Sequence, residues 1–288
     1  MQKTVLIAGA TGYLGSFLTE AYKRAGYRVK ALSRQADQIR ENDLWVDEIY
    51  VGEATKVESL RGICDGVDLV VSALGITRQQ DGMSYEQVDY GANLNLMNEA
   101  LRSEVKQFVY VHVLNADRMP NVELAIAKQK FVDALAAAPI RSCVICPSGY
   151  FSDLRTFLEM AQKGKIYLFG QGEFAISPIH GSDLAATIVE SAERGVAKLD
   201  VGGPHALSQN QIAKMAFAAL GKSERITHVP LWLGKAIVFL AKNLGFRSQT
   251  GPLEFFLAAS SICMSAPAHG EKTLKQYFEN EARRFGRD

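Results

Sequence analysis

Residues 5–15 read Val5-Leu6-Ile7-Ala8-Gly9-Ala10-Thr11-Gly12-Tyr13-Leu14-Gly15, an apolar, β-rich run that passes through a glycine turn into a stretch with helical spacing. In such a loop the first glycine permits a tight turn and the second lets backbone approach a pyrophosphate. The third lets helix and strand pack closely. The first helical turn then presents amides and the positive end of its dipole to phosphate. Glycines collect in loops anyway, so the triplet alone says little. Its position after a strand, before a helix and in the first element of a sheet is what reads as dinucleotide binding.

Working outward, short β-rich runs recur at Tyr27–Leu32, Glu48–Val51, Val67–Ser72, Gln107–Val113 and Arg141–Cys146. Between most of them lie Tyr13–Ala25, Glu86–Ser103 and Asn121–Ala137, with apolar residues three and four apart; Val57–Cys64 is a shorter connection. Strands alternating with helices imply crossover units and a parallel sheet covered on both faces. Runs such as DLVVSAL and FVYVHVL suit burial on both sides. The expected class is α/β, a doubly wound parallel (Rossmann) sheet with a smaller, mostly helical C-terminal substrate region. The expected division is residues 1–149, with 178–203 returning to them, against 150–177 and 204–288.

The later part has a different texture. Ile166–Phe169 and Glu173–Ile176 flank Gly-Gln-Gly and read as a hairpin. Ser182–Arg194 reads as helix, Lys198–Val201 as strand and Ser208–Leu220 as helix. That last helix opens with Ser208-x-x-Gln211, a capping box. From Pro230 onward the chain reads as mostly helical, and Trp232, Phe239, Phe255 and Phe256 fit either a pocket lining or core packing.

The 288 residues carry 32 Lys+Arg and 31 Asp+Glu, a formal net charge of +1, with 48% hydrophobic and 22% charged residues. That balance describes a globular chain and lacks the basic footprint of a nucleic-acid binder. Four cysteines in this length make no disulfide framework. Cys143 and Cys146 lie three apart in a strand and should face opposite sides. The five histidines show no ligand spacing, so no metal is expected. The opening residues lack a signal-peptide pattern, and Leu231–Phe246, broken by Lys235, Lys242 and Asn243, falls short of a bilayer span of about 20 residues. The expected location is cytoplasmic, with a small-molecule substrate and a homo-oligomer or protein partner left open.

The second strand leads into Ser33-Arg34. An acidic residue there would hold a ribose 2′-hydroxyl, whereas arginine accommodates a 2′-phosphate, so NADP(H) is favoured over NAD(H). A solvated loop arginine is the alternative, and Ser33 adds a hydroxyl donor. On Asn121–Ala137, residues 124, 128, 131, 132 and 135 share one face, leaving Lys128 the lone charge on an apolar stripe. Lysine can snorkel from such a stripe. Turned inward, it would be desolvated and suited to hold ribose hydroxyls or supply a proton. His112 ends a buried strand at the edge where such folds bind ligands, and a core histidine is an equal reading. Tyr150 could roof a nicotinamide or simply pack. His180 and Asp183 stand at a helix start, where an aspartate suits the dipole.

These segments together resemble the atypical short-chain dehydrogenase/reductase superfamily, in its NmrA-like and isoflavone-reductase-like branch. The resemblance runs from the glycine loop and Arg34 through VDLVVSALG (67–75), VDYGANLNLMNEAL (88–101) and QFVYVHVLNA (107–116). It continues to PIHGSDLA (178–185) and LDVGGPHALSQNQIAKMA (199–216). The tail, with EFFLAASSICM (254–264) and GEKTLKQYF (270–278), is similar to divinyl chlorophyllide 8-vinyl-reductase-like proteins. The resemblance implies that Gly9, Thr11, Gly12, Tyr13, Leu14 and Gly15 form the phosphate loop. It also implies that Arg34 meets the 2′-phosphate, that Ser72, Ala73, Leu74 and Gly75 lie along the cofactor, and that Lys128 is the active-site lysine. The family's serine would fall near His112 or Val113 and its tyrosine at Leu124, so the usual carbonyl–alcohol chemistry lacks two of its three groups. The expectation is an NADPH-dependent oxidoreductase transferring hydride to a small, largely apolar substrate, with a conjugated double bond suiting a site without the tyrosine. The alternative is a non-catalytic NADP(H)-binding redox sensor or assembly protein.

Overall fold

The computed structural model describes residues 2–76, 82–244 and 247–285; Phe246, the end of the apolar tract, lies outside them. Strands β1 (Thr4–Ala8), β2 (Arg28–Ser33), β3 (Glu48–Val51), β4 (Leu69–Ser72), β5 (Gln107–Val111), β6 (Arg141–Pro147) and β9 (Lys198–Val201) form a seven-stranded sheet in the order β3-β2-β1-β4-β5-β6-β9. β1 pairs in parallel with both β2 and β4, setting Val5 opposite Val29 and Leu69. The amides of Val144 and Ser148 donate to Ala197 and Val201, so β9 runs the same way as β6. Val5–Ala8, Val70, Val71, Phe108, Val109 and Tyr110 have no exposed surface, as strands covered on both faces require.

The sheet reverses direction of progression between β1 and β4, and the crevice beyond the carboxyl ends of those strands is where open α/β sheets bind ligands. Helix α1 (Tyr13–Arg24) follows the glycine turn and buries Leu14, Leu18 and Tyr22. Two compact units divide the chain, residues 1–146 with 184–199 and residues 147–183 with 200–288.

The second unit contains α5 (Arg155–Gln162), β7 (Ile166–Phe169), β8 (Ala175–Ile176), β10 (Leu207–Ser208), α7 (Gln209–Ala219), β11 (Ile226–Val229), α8 (Leu231–Asn243), α9 (Arg247–Ala259) and α10 (Leu274–Phe285). Its core gathers Phe151, Phe157, Leu158, Ile166, Phe217 and Phe278. The expected hairpin across Gly-Gln-Gly does not form. β7 pairs in parallel with β11 and β8 pairs antiparallel with β10. The loop binds α7 instead: Asn210 donates through its side chain to the Gln171 carbonyl and through its backbone to that of Gly172. The capping box at α7 is present, with the Gln211 amide donating to Ser208 Oγ and the Ser208 amide donating back to Gln211 Oε1. Trp232 and Phe239 are 68% and 67% exposed, so neither packs in a core.

Candidate functional site

The glycine loop is shaped by backbone contacts that exclude side chains. Gly9 has φ +86°, and a Cβ there would stand 3.0 Å from the Ala73 carbonyl carbon. A Cβ on Gly15 would fall 1.9 Å from the Gly9 carbonyl oxygen, so no other residue fits. The Gly12 amide donates to that same oxygen at 3.0 Å, closing the turn. Gly12 supplies no capping side chain to α1, and the first turn holds no carboxylate. Among the described residues, the first turn of α1 thus brings no carboxylate to the positive helix end, and the cradle fits a pyrophosphate.

Arg34 follows β2 and is exposed. Ser33 beside it is buried, and its hydroxyl donates to the Gln35 carbonyl at 2.7 Å, shaping the turn that carries Arg34. Ser72 ends β4, where its hydroxyl donates to Asn93 Oδ1 at 2.5 Å and accepts from the Leu74 amide at 3.3 Å. Ala73 to Gly75 then run onward from the edge that Gly9 touches.

The segment Glu86–Ala92 is a π-helical turn leading into α3 (Asn93–Arg102). Such turns are rare and concentrate at functional sites. Asn93 donates to the Val88 and Asp89 carbonyls at 3.3 and 2.9 Å, satisfying the widened turn. Asp89 is thereby held with no exposed surface, 3.3 Å from the ammonium of Lys128. Its other oxygen accepts from the Ile76 amide at 3.2 Å. Burial drives the Asp89 carboxyl upward, opposed by the Lys128 charge and that amide.

Lys128 lies on α4 (Glu123–Ala137) and turns inward, its side chain only 13% exposed. Besides Asp89 it donates to the Val111 carbonyl at 3.2 Å and meets the Tyr110 hydroxyl at 3.5 Å, its Nζ lying 5.2 Å from that ring's centroid. Burial pushes the Tyr110 phenol up to about 12, so it stays protonated at neutral pH. Lys130 faces outward onto Glu86 and the Tyr90 ring, which fastens α4 to the π turn.

Gly75 joins the two halves of the site. A Cβ there would stand 2.8 Å from Asp89 Oδ1 and 3.2 Å from Lys128 Nζ. The strip from the glycine loop through Ala73, Leu74 and Gly75 therefore ends on the Lys128–Asp89 pair.

His112 lies at the end of β5, 6% exposed, with Nε2 3.2 Å from Gln129 Oε1. Burial and then the Lys128 charge hold its pKa down at about 4, so the ring is neutral near pH 7. Tyr150 belongs to the second unit and bridges to Ile179. Asp183 accepts from the Glu271 and Lys272 amides, while His180 lies edge-on to Phe151 and Tyr277; both organise the second unit. Leu124 is half-buried on α4.

Asp89, Asn93 and Tyr110 were missed in the sequence reading. Asp89 and Asn93 share their helical phase with buried Leu96, Met97 and Ala100. A carboxylate on an apolar stripe is the same signal, with opposite charge, that singled out Lys128.

A family model described as NAD(P)H-binding matches residues 9–194. Divinyl chlorophyllide a 8-vinyl-reductase of Zea mays is 27% identical, covering 98% of this chain and 80% of its own length. Photosystem II assembly factor Ycf39 of Synechocystis is 25% identical over 79% of this chain and 71% of its own. Among solved structures, an NADPH-dependent quinone oxidoreductase of Escherichia coli complexed with NADPH superposes with a TM-score of 0.78 at 17% identity, covering 96% of this chain and 99% of that one. A UDP-glucose 4-epimerase of Thermotoga maritima gives 0.68 at 16% identity over 79% and 85%. These two likenesses concern the fold. The family model spans well over half of the residues and begins at the first glycine of the cradle; the chain belongs to the NAD(P)H-binding family.

Proposed function

We propose that this chain is an NADPH-dependent reductase of the atypical short-chain class that reduces a small, largely apolar acceptor, a conjugated double bond being the class that suits its groups. The observation that supports this most is the continuous strip from the phosphate cradle to a buried lysine–carboxylate pair. In this reading Gly9, Thr11, Gly12, Tyr13, Leu14 and Gly15 hold the pyrophosphate. Ser33 shapes the turn from which Arg34 reaches the 2′-phosphate, and Ser72, Ala73, Leu74 and Gly75 lie along the cofactor. Bound NADPH supplies the hydride.

Lys128 holds ribose hydroxyls and delivers a proton to the acceptor carbon, while Asp89 fixes the ammonium in place. Tyr110, buried and protonated, shapes the Lys128 site from behind. His112 is neutral near pH 7 and serves as an orienting group rather than a proton donor. The serine and tyrosine that the resemblance pairs with Lys128 are absent at the matching positions, which disfavours ketone reduction and epimerisation. The vinyl-reductase relatives point to the same acceptor class.

The test is NADPH consumption against a panel of enones and vinyl-substituted tetrapyrroles. Turnover should fall about 10²–10⁴-fold in Lys128→Met, the range for loss of a general acid. Equal rates in wild type and variant would remove Lys128 from the chemistry. A second reading, an NADP(H)-binding assembly or regulatory protein, draws on the same two missing groups and on the Ycf39 relatives. Unequal affinity for NADP⁺ and NADPH with no turnover on any acceptor would favour it.

A further inference from the structure

Helix α8 is apolar on the wrong side. Gly234 and Val238 are its buried residues, whereas Trp232, Leu233, Ile237, Phe239, Leu240 and Leu244 are between 39% and 72% exposed. At 100° per residue those six fall within one continuous arc of about 160°, opposite the buried stripe. Soluble surfaces expose large apolar residues singly; a contiguous group of this kind marks a docking face.

Charge indicates what docks. From Arg225 to Leu253 the chain contains no aspartate or glutamate, although it carries Arg225, Lys235, Lys242 and Arg247 there. Lys235 is exposed and borders the apolar arc, and Lys242 lies on the same flank, paired with Glu254 at 2.7 Å. An apolar arc bordered by Lys235 and by the Lys242–Glu254 pair, beside a stretch of chain (225–253) without acidic residues, matches a surface that is apolar below and anionic at its rim. Among the described residues no helix is long and apolar enough to cross a membrane, so this helix would lie in the interface plane.

An interfacial helix of this kind sinks its apolar face about 5–10 Å into the headgroup region.

We infer that α8 is a peripheral docking helix for an anionic lipid bilayer, seated through Trp232, Leu233, Ile237, Phe239, Leu240 and Leu244 with Lys235 at the headgroups. This does not depend on the reductase reading.

The test is flotation of the full chain with vesicles of phosphatidylcholine alone and of phosphatidylcholine mixed with phosphatidylglycerol. The protein should float with the mixed vesicles at low salt and release as salt rises, because the attraction is screened. The double variant Leu240→Glu and Leu244→Glu alters exposed positions only. It should lose about tenfold or more of the partitioning while keeping its melting temperature and its response to NADPH. As a second readout that needs no disruptive change, Trp45→Phe leaves Trp232 as the remaining tryptophan, and its emission should shift blue with mixed vesicles. Absence of flotation and of the blue shift at low salt would overturn the proposal. So would undiminished flotation of a folded double variant, or a concentration-dependent dimer that the double variant dissolves, which would assign the face to a second copy.

Discussion

Asp89 and Lys128 form a buried ion pair in the candidate site. Taking two charges out of water is costly, and their attraction offsets that cost only while both are present. Asp89→Ala should therefore destabilise the chain by about 3–5 kcal/mol, whereas the double change Asp89→Leu with Lys128→Met should recover most of that stability without recovering turnover. Urea unfolding of the three proteins checks this, and a double variant as unstable as the single one would contradict it. His112 gives a pH signature. Burial and the Lys128 charge hold its folded pKa at about 4, below the ordinary value near 6.5. The unfolded chain thus takes up a proton first as pH falls. The contribution of this neutral ring is intact above pH 6.5 and lost by about pH 4, a difference of about 3 kcal/mol. His112→Gln should flatten the dependence of stability on pH across that window by a comparable amount; parallel curves would count against it. Lys128 was legible in the sequence because it stands alone on an apolar stripe. Its partner was not recognised because Asp89 lies far away in the chain, and only strand order and the π turn bring the two together.

At the scale of the element, the glycine turn and the helix caps carry local rules that a sequence states openly. Gly15 packs against the Gly9 carbonyl with no room for a Cβ. Gly15→Ala should cost about 1–3 kcal/mol through overpacking and weaken nucleotide binding with it. Ser208→Ala removes the acceptor that caps α7, and should lower stability by about 1 kcal/mol with nucleotide binding unchanged. Both are read from melting curves with and without NADPH. The Ser208–Gln211 box was readable because both of its partners lie within one turn. The hairpin at Gly170–Gly172 was misread because two short β-rich runs beside a tight glycine turn look alike whether they pair with each other or with distant chain. Here β11 and β10 compete for β7 and β8, and Asn210 draws the loop to α7. The π turn left no trace, since one extra residue barely disturbs the apolar spacing of Glu86–Ser103.

For the molecule as a whole, alternation of strand and helix carried the fold, because each crossover forces a parallel neighbour and both sheet faces must be covered. Strand order, and with it the crevice beyond β1 and β4, is not fixed by that alternation and is seen only in the structure. The pairings of the second unit were likewise not legible, because its short strands pair across long stretches of chain. In the proposed reading the cradle and Arg34 select NADPH. Titration with NADPH and NADH by nicotinamide fluorescence, in wild type and in Arg34→Ala, tests this. NADPH should bind more tightly than NADH, and the variant should lose about tenfold, or about 1.4 kcal/mol, for NADPH while NADH is unchanged. Equal affinity for the two nucleotides, untouched by the substitution, would contradict the claim.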